Sequence, residues 1–210
     1  MSLGPGIRFY STNGQAPVVN LREALLQGQA PDRGLYLPAE FPRLSSGEMR
    51  AMSEQPYPEI AFQVLRCYTA GVISDDTLAA VCRDAYQFEV PLEPVSGRSW
   101  VVRLDRGPTA SFKDFAARWM ARLLGLFVRE DGRCLTILTA TSGDTGSAVA
   151  SAFAGIAGIR VVVLFPQDEV SRLQRKQMTT LGGNIRTVAV AGKFDHCQAM
   201  VKEAFADPAL

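Results

Sequence analysis

The stretch Gly107-Pro108-Thr109-Ala110-Ser111-Phe112-Lys113-Asp114 lies between two segments with clear apolar patterns. Before it, residues 100–104 read as a short buried strand. After it, apolar residues recur at the spacing of a helix packed on a core. They are Phe112, Phe115, Ala116, Trp119, Met120, Leu123, Leu124 and Phe127. The pattern predicts that Lys113 lies in the first turn of a long helix, at a strand-to-helix junction.

A lysine in this position can have a chemical use. The positive end of the helix dipole and partial burial both disfavour a protonated ammonium. A neutral amine can attack a carbonyl group, so Lys113 is the candidate catalytic residue. The alternative is that Ser111 and Asp114 form a capping box and that Lys113 is a solvated residue near a helix start.

The composition is that of an ordinary globular chain. Its 210 residues are 47% hydrophobic and 20% charged, enough for one large or two small domains. The 22 basic and 21 acidic residues give a net charge of +1 without long runs. This balance argues against nucleic acid or a membrane surface as a partner and favours small-molecule chemistry. With no signal peptide and no membrane-spanning run, we expect a cytoplasmic or organelle-matrix location.

Cysteine and histidine are too few and too scattered for a metal site or a catalytic triad. The single histidine is His196, and none of the four cysteines forms a Cys-x-x-Cys pair. We therefore expect no metal, and we interpret the cysteines as reduced, mostly buried residues. They are Cys67, Cys82, Cys134 and Cys197.

The chain reads as three consecutive parts. Residues 1–95 form a mainly helical first domain, with a capped helix start at Asn20 and two amphipathic helices near residues 60–68 and 78–86. Prolines 91 and 94 and Ser96-Gly97 mark its end. Residues 96–133 carry the lysine helix.

Residues 134–210 alternate apolar runs with helical patterns. The runs predict parallel strands over Cys134–Ala140, Ile159–Phe165 and Ile185–Val190. The helices between and after them are expected over about Ser147–Ala157, Glu169–Leu181 and Phe194–Phe205. This β-α-β-α-β-α block indicates an α/β fold, in which ligands bind where loops leave the carboxyl ends of the strands.

The first of those loops is Thr141-Ser142-Gly143-Asp144-Thr145-Gly146. Its glycines allow close approach of the backbone, and its hydroxyls and the following helix start suit a carboxylate or phosphate. It matches neither the dinucleotide fingerprint nor the P-loop. Asp144 would repel an anion unless it caps the helix or meets a cation. The alternative is a tight strand-to-helix turn without a ligand.

The motifs taken together resemble the threonine synthases, pyridoxal 5'-phosphate (PLP) enzymes of the tryptophan-synthase-β fold type, or fold type II. The resemblance rests on the lysine stretch, on the Ser-Gly-Asp-Thr-Gly loop and on segments at both ends of the chain. These are Gly107–Phe115, Leu138–Ser147, Thr180–Asn184, Phe9–Thr12, Asp32–Pro38 and Phe194–Ala199.

The resemblance implies roles for particular residues. Lys113 corresponds to the lysine that forms a Schiff base with PLP, and Phe112 flanks it. Ser142, Gly143, Thr145 and Thr141 correspond to the loop around the substrate carboxylate. Asp144 stands near the phenolic side of the cofactor, where many relatives carry asparagine.

The implied reaction is that of a phosphate-eliminating carbon–oxygen lyase in amino-acid biosynthesis. O-phospho-L-homoserine and water give L-threonine and phosphate. PLP stabilises carbanions at Cα and Cβ while the Lys113 amine moves protons. Four residues after the second strand could meet the substrate phosphate, although a solvated basic helix face is the alternative reading for most of them. They are Ser171, Arg172, Arg175 and Lys176. A homo-oligomer stays open.

Members of this family are longer than 210 residues. We expect the loop that binds the PLP phosphate and the group facing the pyridine nitrogen to follow Leu210, and the strand at residues 100–104 to lack neighbours in this chain. The chain is then an amino-terminal half that is inactive alone. Two alternatives stay open: a related phospho-lyase that releases a keto acid, and a non-catalytic partner-binding module.

Overall fold

The computed structural model describes residues 6–207. The chain divides into two compact units, the first ending at Gln87 and the second beginning at Phe88. The three-part division with limits at residues 95 and 133 stays a prediction.

In its described residues, 6–87, the first unit contains four helices and a small antiparallel pair of strands. Asn20 caps the first helix, because its side-chain oxygen accepts a hydrogen bond from the Glu23 N–H at 2.9 Å. The Glu23 carboxylate in turn accepts a hydrogen bond from the Asn20 N–H at 2.8 Å. The capped start predicted there is confirmed. The elements are β1 (Phe9–Ser11), α1 (Leu21–Gln27), β2 (Tyr36–Pro38), α2 (Ser46–Met52), α3 (Tyr57–Thr69) and α4 (Asp75–Ala85).

The core of the first unit lies where α3 packs on α4. Leu78, Cys82 and Ala85 on α4 are fully buried, and Tyr57 meets Tyr86 edge-on with ring centroids 5.1 Å apart. Burial raises the pKa of the Cys82 thiol to about 11. This unit carries none of the predicted site residues.

The second unit holds a hairpin, a long helix and an α/β block. Its first elements are β3 (Leu92–Ser96), β4 (Ser99–Val102) and α5 (Lys113–Asp131). The α/β block follows as β5 (Leu135–Ala140), α6 (Asp144–Phe153), β6 (Ile159–Pro166), α7 (Arg172–Thr179), β7 (Ile185–Val190) and α8 (Phe194–Ala206).

The predicted parallel sheet is confirmed. Its strand order is β5-β6-β7, with Leu135 opposite Ile159 and Val161 opposite Ile185. The central strand β6 is buried along most of its length, as continuous apolar runs in parallel sheets usually are. The α/β fold class predicted from the sequence therefore holds.

Asn184 joins the sheet to the turn between α6 and β6. Its side-chain amide donates to the carbonyls of Phe153 and Ile159, both at 2.9 Å, and accepts from the Gly155 N–H at 2.8 Å. These three hydrogen bonds hold together the amino-terminal edge of the sheet, which lies opposite the starts of α6 and α7.

The segment at residues 100–104 differs from the prediction. It contributes to β4, which pairs antiparallel with β3, and Trp100 and Val101 are 58% and 45% exposed. The expectations of a buried strand and of a strand without neighbours are both wrong. Pro94 looked like a breaker, but it lies within β3 because the strands of a two-stranded ribbon are both edges, where proline is tolerated.

Helix α5 begins at Lys113, as predicted, but its buried face is rotated from the expected one. Ala117 and Ala121 are buried, whereas Ala116 and Phe112 are exposed. Leu123, Leu124 and Phe127 are buried as expected. Helix α5 packs on α6, and the buried face of α5 includes these small alanines as well as large apolar side chains.

Candidate functional site

Two helix starts meet at the carboxyl edge of the parallel sheet. Helix α6 begins directly after β5, at Asp144, and α7 begins after the loop that follows β6, at Arg172. The two helices pack on each other. Loops at this edge of an open α/β sheet are where ligands bind, so this is the candidate site.

The Ser-Gly-Asp-Thr-Gly loop is tighter than the sequence indicated. Gly143 is the N-cap of α6 and has φ +148°, so the loop turns into the helix three residues earlier than expected. Only glycine adopts this backbone conformation readily. Asp144 and Thr145 therefore occupy the first turn of the helix.

Thr141 holds this loop together from inside. It is 1% exposed, and its hydroxyl accepts hydrogen bonds from the N–H groups of Gly143 at 2.9 Å and Gly146 at 2.8 Å. The same hydroxyl donates to the Gly143 carbonyl at 3.1 Å. With its hydroxyl committed in this way, Thr141 shapes the loop, and direct contact with a ligand falls to its neighbours.

Those neighbours offer several open donors. Ser142, Asp144 and Thr145 are exposed. Within the described part of the chain, the backbone N–H groups of Asp144 and Thr145 have no hydrogen-bond partner, and neither do the hydroxyls of Ser142 and Thr145. Open N–H groups at a helix start are suited to an anion such as a carboxylate.

The negative charge of Asp144 has a partner of its own. Its Oδ1 accepts a hydrogen bond from the Gln174 side-chain amide on α7 at 2.6 Å. This contact directs the carboxylate toward α7, so the objection that Asp144 would repel an anion is weakened.

The lysine loop is held by a buried carboxylate. Asp114 is 0% exposed and accepts two hydrogen bonds from Thr109, one from its N–H at 2.9 Å and one from its hydroxyl at 2.8 Å. The alternative of a capping box between Ser111 and Asp114 is therefore wrong as an account of this carboxylate. Asp114 reaches back across the loop and fixes the path by which the chain enters Lys113.

Lys113 is the first residue of α5 and is partly exposed. Its ammonium lies over the ring of Phe112, 4.4 Å from the ring centre. In the described residues no carboxylate forms an ion pair with it. Phe112 itself is 62% exposed, so the amine and the ring stand together at the surface of this unit.

Helix α7 contacts both predicted motifs, and these contacts were not predicted from the sequence. Gln177 donates from its side-chain amide to the Thr109 carbonyl at 3.3 Å, while Gln174 holds Asp144. The structure thus brings the lysine loop and the Ser-Gly-Asp-Thr-Gly loop to one short helix. The only available signal was the recurrence of glutamine at i and i+3 on a helix that is otherwise basic.

The basic residues of α7 lie on its outer side. Arg172, Arg175 and Lys176 are exposed, and the Arg175 guanidinium stacks on Phe165, 5.8 Å from the ring centre. This placement agrees with a solvated basic face.

The histidine and cysteines play structural parts. His196 accepts a hydrogen bond at Nδ1 from the Lys193 N–H at 3.0 Å and so caps α8. Cys82 and Cys197 are buried as expected, whereas Cys134 is exposed and Cys67 is intermediate. Among residues 6–207, no group of three or more His, Cys, Asp or Glu side chains is arranged to hold a metal ion. No helix within that range is long and apolar enough to cross a membrane.

Two family models match the chain in succession. The model of the threonine synthase N terminus matches residues 8–86, and that of pyridoxal-phosphate dependent enzymes matches residues 85–209.

Relatives and solved structures agree with these matches. Curated threonine synthases of Pseudomonas aeruginosa and Haemophilus influenzae are 41% and 43% identical over 96% of this chain, which covers 44% and 46% of theirs. A PLP-bound threonine synthase from Brucella melitensis superposes with a TM-score of 0.90 at 38% identity, over 97% of this chain and 45% of its own. The threonine synthase from Escherichia coli gives 0.87 at 38% identity, over 97% and 47%. The chain thus spans less than half the length of these relatives.

Proposed function

Because the chain belongs to the pyridoxal-phosphate dependent enzymes, we propose that it is the amino-terminal part of a threonine synthase. The complete enzyme would convert O-phospho-L-homoserine and water into L-threonine and phosphate. The likeness to curated threonine synthases along 96% of the chain supports this. On the same grounds we propose fold type II and a cytoplasmic location.

One observation carries the proposal: the loop that leads into Lys113 and the Ser-Gly-Asp-Thr-Gly loop both make hydrogen bonds to helix α7. Gln177 contacts the carbonyl of Thr109 in the lysine loop, and Gln174 contacts Asp144 in the other loop. A residue that holds a cofactor and a loop that holds a substrate must lie close together for the two to react.

The residues present fit PLP as far as the chain extends. The cofactor requires a lysine amine able to reach its aldehyde, and Lys113 is partly exposed at a helix start without a carboxylate paired to it among the described residues. The exposed ring of Phe112 supplies an aromatic surface beside that amine. When bound, PLP supplies the electron sink for negative charge on substrate carbons.

The loop after β5 would bind and orient the substrate. The open N–H groups of Asp144 and Thr145 and the hydroxyls of Ser142 and Thr145 can donate to the substrate carboxylate. Gly143 permits the backbone to approach it closely, and Thr141 keeps the loop in shape from within. Asp144, whose carboxylate Gln174 directs toward α7, would lie near the phenolic side of PLP, as the family resemblance implies.

Lys113 would carry the proton transfers. With PLP and substrate bound, the Lys113 Nζ would take a proton from the substrate Cα and return protons at neighbouring carbons. The position of Nζ depends on the first turn of α5, which Asp114 anchors through Thr109. Phosphate leaves from Cγ, and water adds at Cβ.

The test replaces Lys113 in the complete enzyme. Lys113→Ala should abolish the visible absorbance of bound PLP, prevent borohydride trapping and lower threonine formation by several orders of magnitude. Lys202→Ala, at an exposed lysine on α8, is the matched control and should leave all three readouts unchanged.

The product decides between the proposal and the related phospho-lyase. Wild-type enzyme given O-phosphohomoserine should release threonine and phosphate in equal amounts. Release of 2-oxobutyrate instead of threonine would favour the lyase, and normal PLP absorbance in Lys113→Ala would overturn the role of Lys113.

A further inference from the structure

Helix α7 presents one inward side to both loops of the site. This side carries Gln174, Gln177 and Met178, at the i, i+3 and i+4 spacing that places side chains together on a helix. Both glutamines are partly buried, and Met178 is 1% exposed. The inward side therefore combines two amide groups with one apolar contact.

The Gln174 side-chain amide makes hydrogen bonds through both its nitrogen and its oxygen. Its nitrogen donates to Asp144 at 2.6 Å, and its oxygen accepts from the Ser171 N–H at 3.2 Å and hydroxyl at 2.8 Å. The Gln174 backbone carbonyl also accepts from the Ser147 hydroxyl at 3.4 Å. One residue thus ties the start of α7 to the first turn of α6.

Gln177 reaches the other loop. Its amide nitrogen donates to the Thr109 carbonyl at 3.3 Å. The N–H and hydroxyl of that same Thr109 are bound by Asp114, the neighbour of Lys113. The contacts run without a gap from α7 to the start of α5.

Met178 makes α7 pack directly against the turn into α6. A Cβ atom added at Gly146 would lie 2.8 Å from the Met178 sulfur, which is too close for a carbon and a sulfur. Gly146 therefore lets the two helices approach, and a shift of α7 cannot leave the Ser-Gly-Asp-Thr-Gly loop unchanged.

We infer that Gln174 and Gln177 are positioning residues that make α7 a common support for the lysine loop and the Ser-Gly-Asp-Thr-Gly loop. The placement of Lys113 and that of the substrate-binding loop are then set together. The structural part of this inference stands without the proposed function, and its kinetic part rests on it.

The structural test is hydrogen exchange on the complete enzyme without PLP. Gln177→Leu removes the bond to Thr109 but leaves Gln174 and its contacts in place. Leucine and glutamine have similar helix propensities, so α7 should persist. We expect amide exchange to become roughly threefold to tenfold faster in residues 107–114 and also in residues 141–147.

Gln174→Leu should give the reciprocal result, with faster exchange in both segments. The double substitution should accelerate exchange by less than the product of the two single accelerations. The reason is that α7 has already lost one of its two loop contacts when the second is removed. Leu173→Gln, at a 70% exposed position of the same helix, is the control and should change neither segment.

The outcome that overturns the inference is faster exchange confined to the loop that each glutamine touches, or changes no larger than those of Leu173→Gln. Gln177→Glu guards against misfolding, because it is nearly isosteric and replaces the donor to Thr109 with a carboxylate oxygen. A native far-UV circular dichroism spectrum of this variant makes its exchange result decisive.

The kinetic test uses the complete enzyme. If the loops are set together, Gln174→Leu and Gln177→Leu should each lower kcat and raise KM for O-phosphohomoserine, by about tenfold in kcat/KM. A clean split, with kcat alone affected by one and KM alone by the other, would contradict the common support. A wild-type enzyme that makes no threonine would defeat the proposed function and leave the exchange result standing.

Discussion

Replacing Asp114 should destabilise the second unit by an amount that the structure allows us to estimate. The carboxylate is fully buried and accepts two hydrogen bonds, both from Thr109. Asp114→Ala leaves the Thr109 N–H and hydroxyl buried without an acceptor, and each unsatisfied donor costs about 1–3 kcal/mol. The lost desolvation cost of the carboxylate offsets part of this. We therefore expect a net loss of about 2–4 kcal/mol in the free energy of unfolding.

Asp114→Asn should cost less. The amide oxygen can still accept from the Thr109 N–H, and the amide nitrogen can donate to the Thr109 hydroxyl, which is also an acceptor. The loss is then the difference between charged and neutral hydrogen bonds, about 1 kcal/mol. If Asp114 stabilises the loop by hydrogen bonds, the free energy of unfolding should be lowest for Asp114→Ala, intermediate for Asp114→Asn and highest for the wild type.

Urea unfolding followed by tryptophan fluorescence measures these losses. Both tryptophans, Trp100 and Trp119, lie in the second unit, so the signal reports on that unit alone. The shift in midpoint multiplied by an unchanged slope gives the change in free energy. Asp168→Ala, at an exposed carboxylate of the same unit, should stay within about 0.5 kcal/mol of wild type. A similar value for Asp114→Ala would refute the reasoning.

Three further outcomes are expected. In the complete enzyme, Thr145→Val should raise KM for the substrate and leave PLP absorbance unchanged. The substrate carboxylate loses one hydrogen bond, and a hydrogen bond to a charged group contributes about 1.5–3 kcal/mol. Loss of PLP with unchanged KM would mean that the loop faces the cofactor. The exposed apolar hairpin should make the 210-residue chain self-associate. Trp100→Lys should then lower the mass measured by light scattering, and an unchanged mass would show that other surfaces are responsible. Burial raises the pKa of Cys82 from about 9 to about 11, so the unfolded state releases this proton at a lower pH than the folded state does. The stability of the first unit should therefore fall between pH 9 and 11, and Cys82→Ala should flatten that fall in urea titrations followed by circular dichroism, because the tryptophan signal reports only on the second unit.

The sheet was predictable to within a few residues because burial on both sides leaves a plain record in the sequence. Strand β6, for example, is an apolar run interrupted only by Arg160, and glycines mark the turns beside it. Lys113 was placed correctly at the helix start because a helical stripe follows it directly.

The hairpin and the buried face of α5 were misjudged for local reasons. Pro94 and Gly97 resemble the end of a domain, yet Gly97 at φ +56° closes a two-stranded ribbon. In α5 the predicted buried face consisted mainly of large apolar side chains, whereas the observed buried face also includes Ala117 and Ala121.

The internal bonding of the site could not be predicted from spacing. Whether the hydroxyl of Thr141 points into its loop or out of it depends on the φ angle of Gly143, which no pattern specifies. The contacts of Gln174 and Gln177 join residues 30 and 68 positions apart. Only the folded chain decides which polar groups meet over such separations.

The shortness of α7 has a thermal consequence. With eight residues and Met178 as its one fully buried side chain, α7 is well below the length of about 12–15 residues at which isolated helices become even marginally stable in water. It should melt locally at a lower free-energy cost than the sheet behind it. On warming, the enzyme should therefore lose turnover several degrees before its circular dichroism changes, and should regain it on cooling as long as the sheet survives.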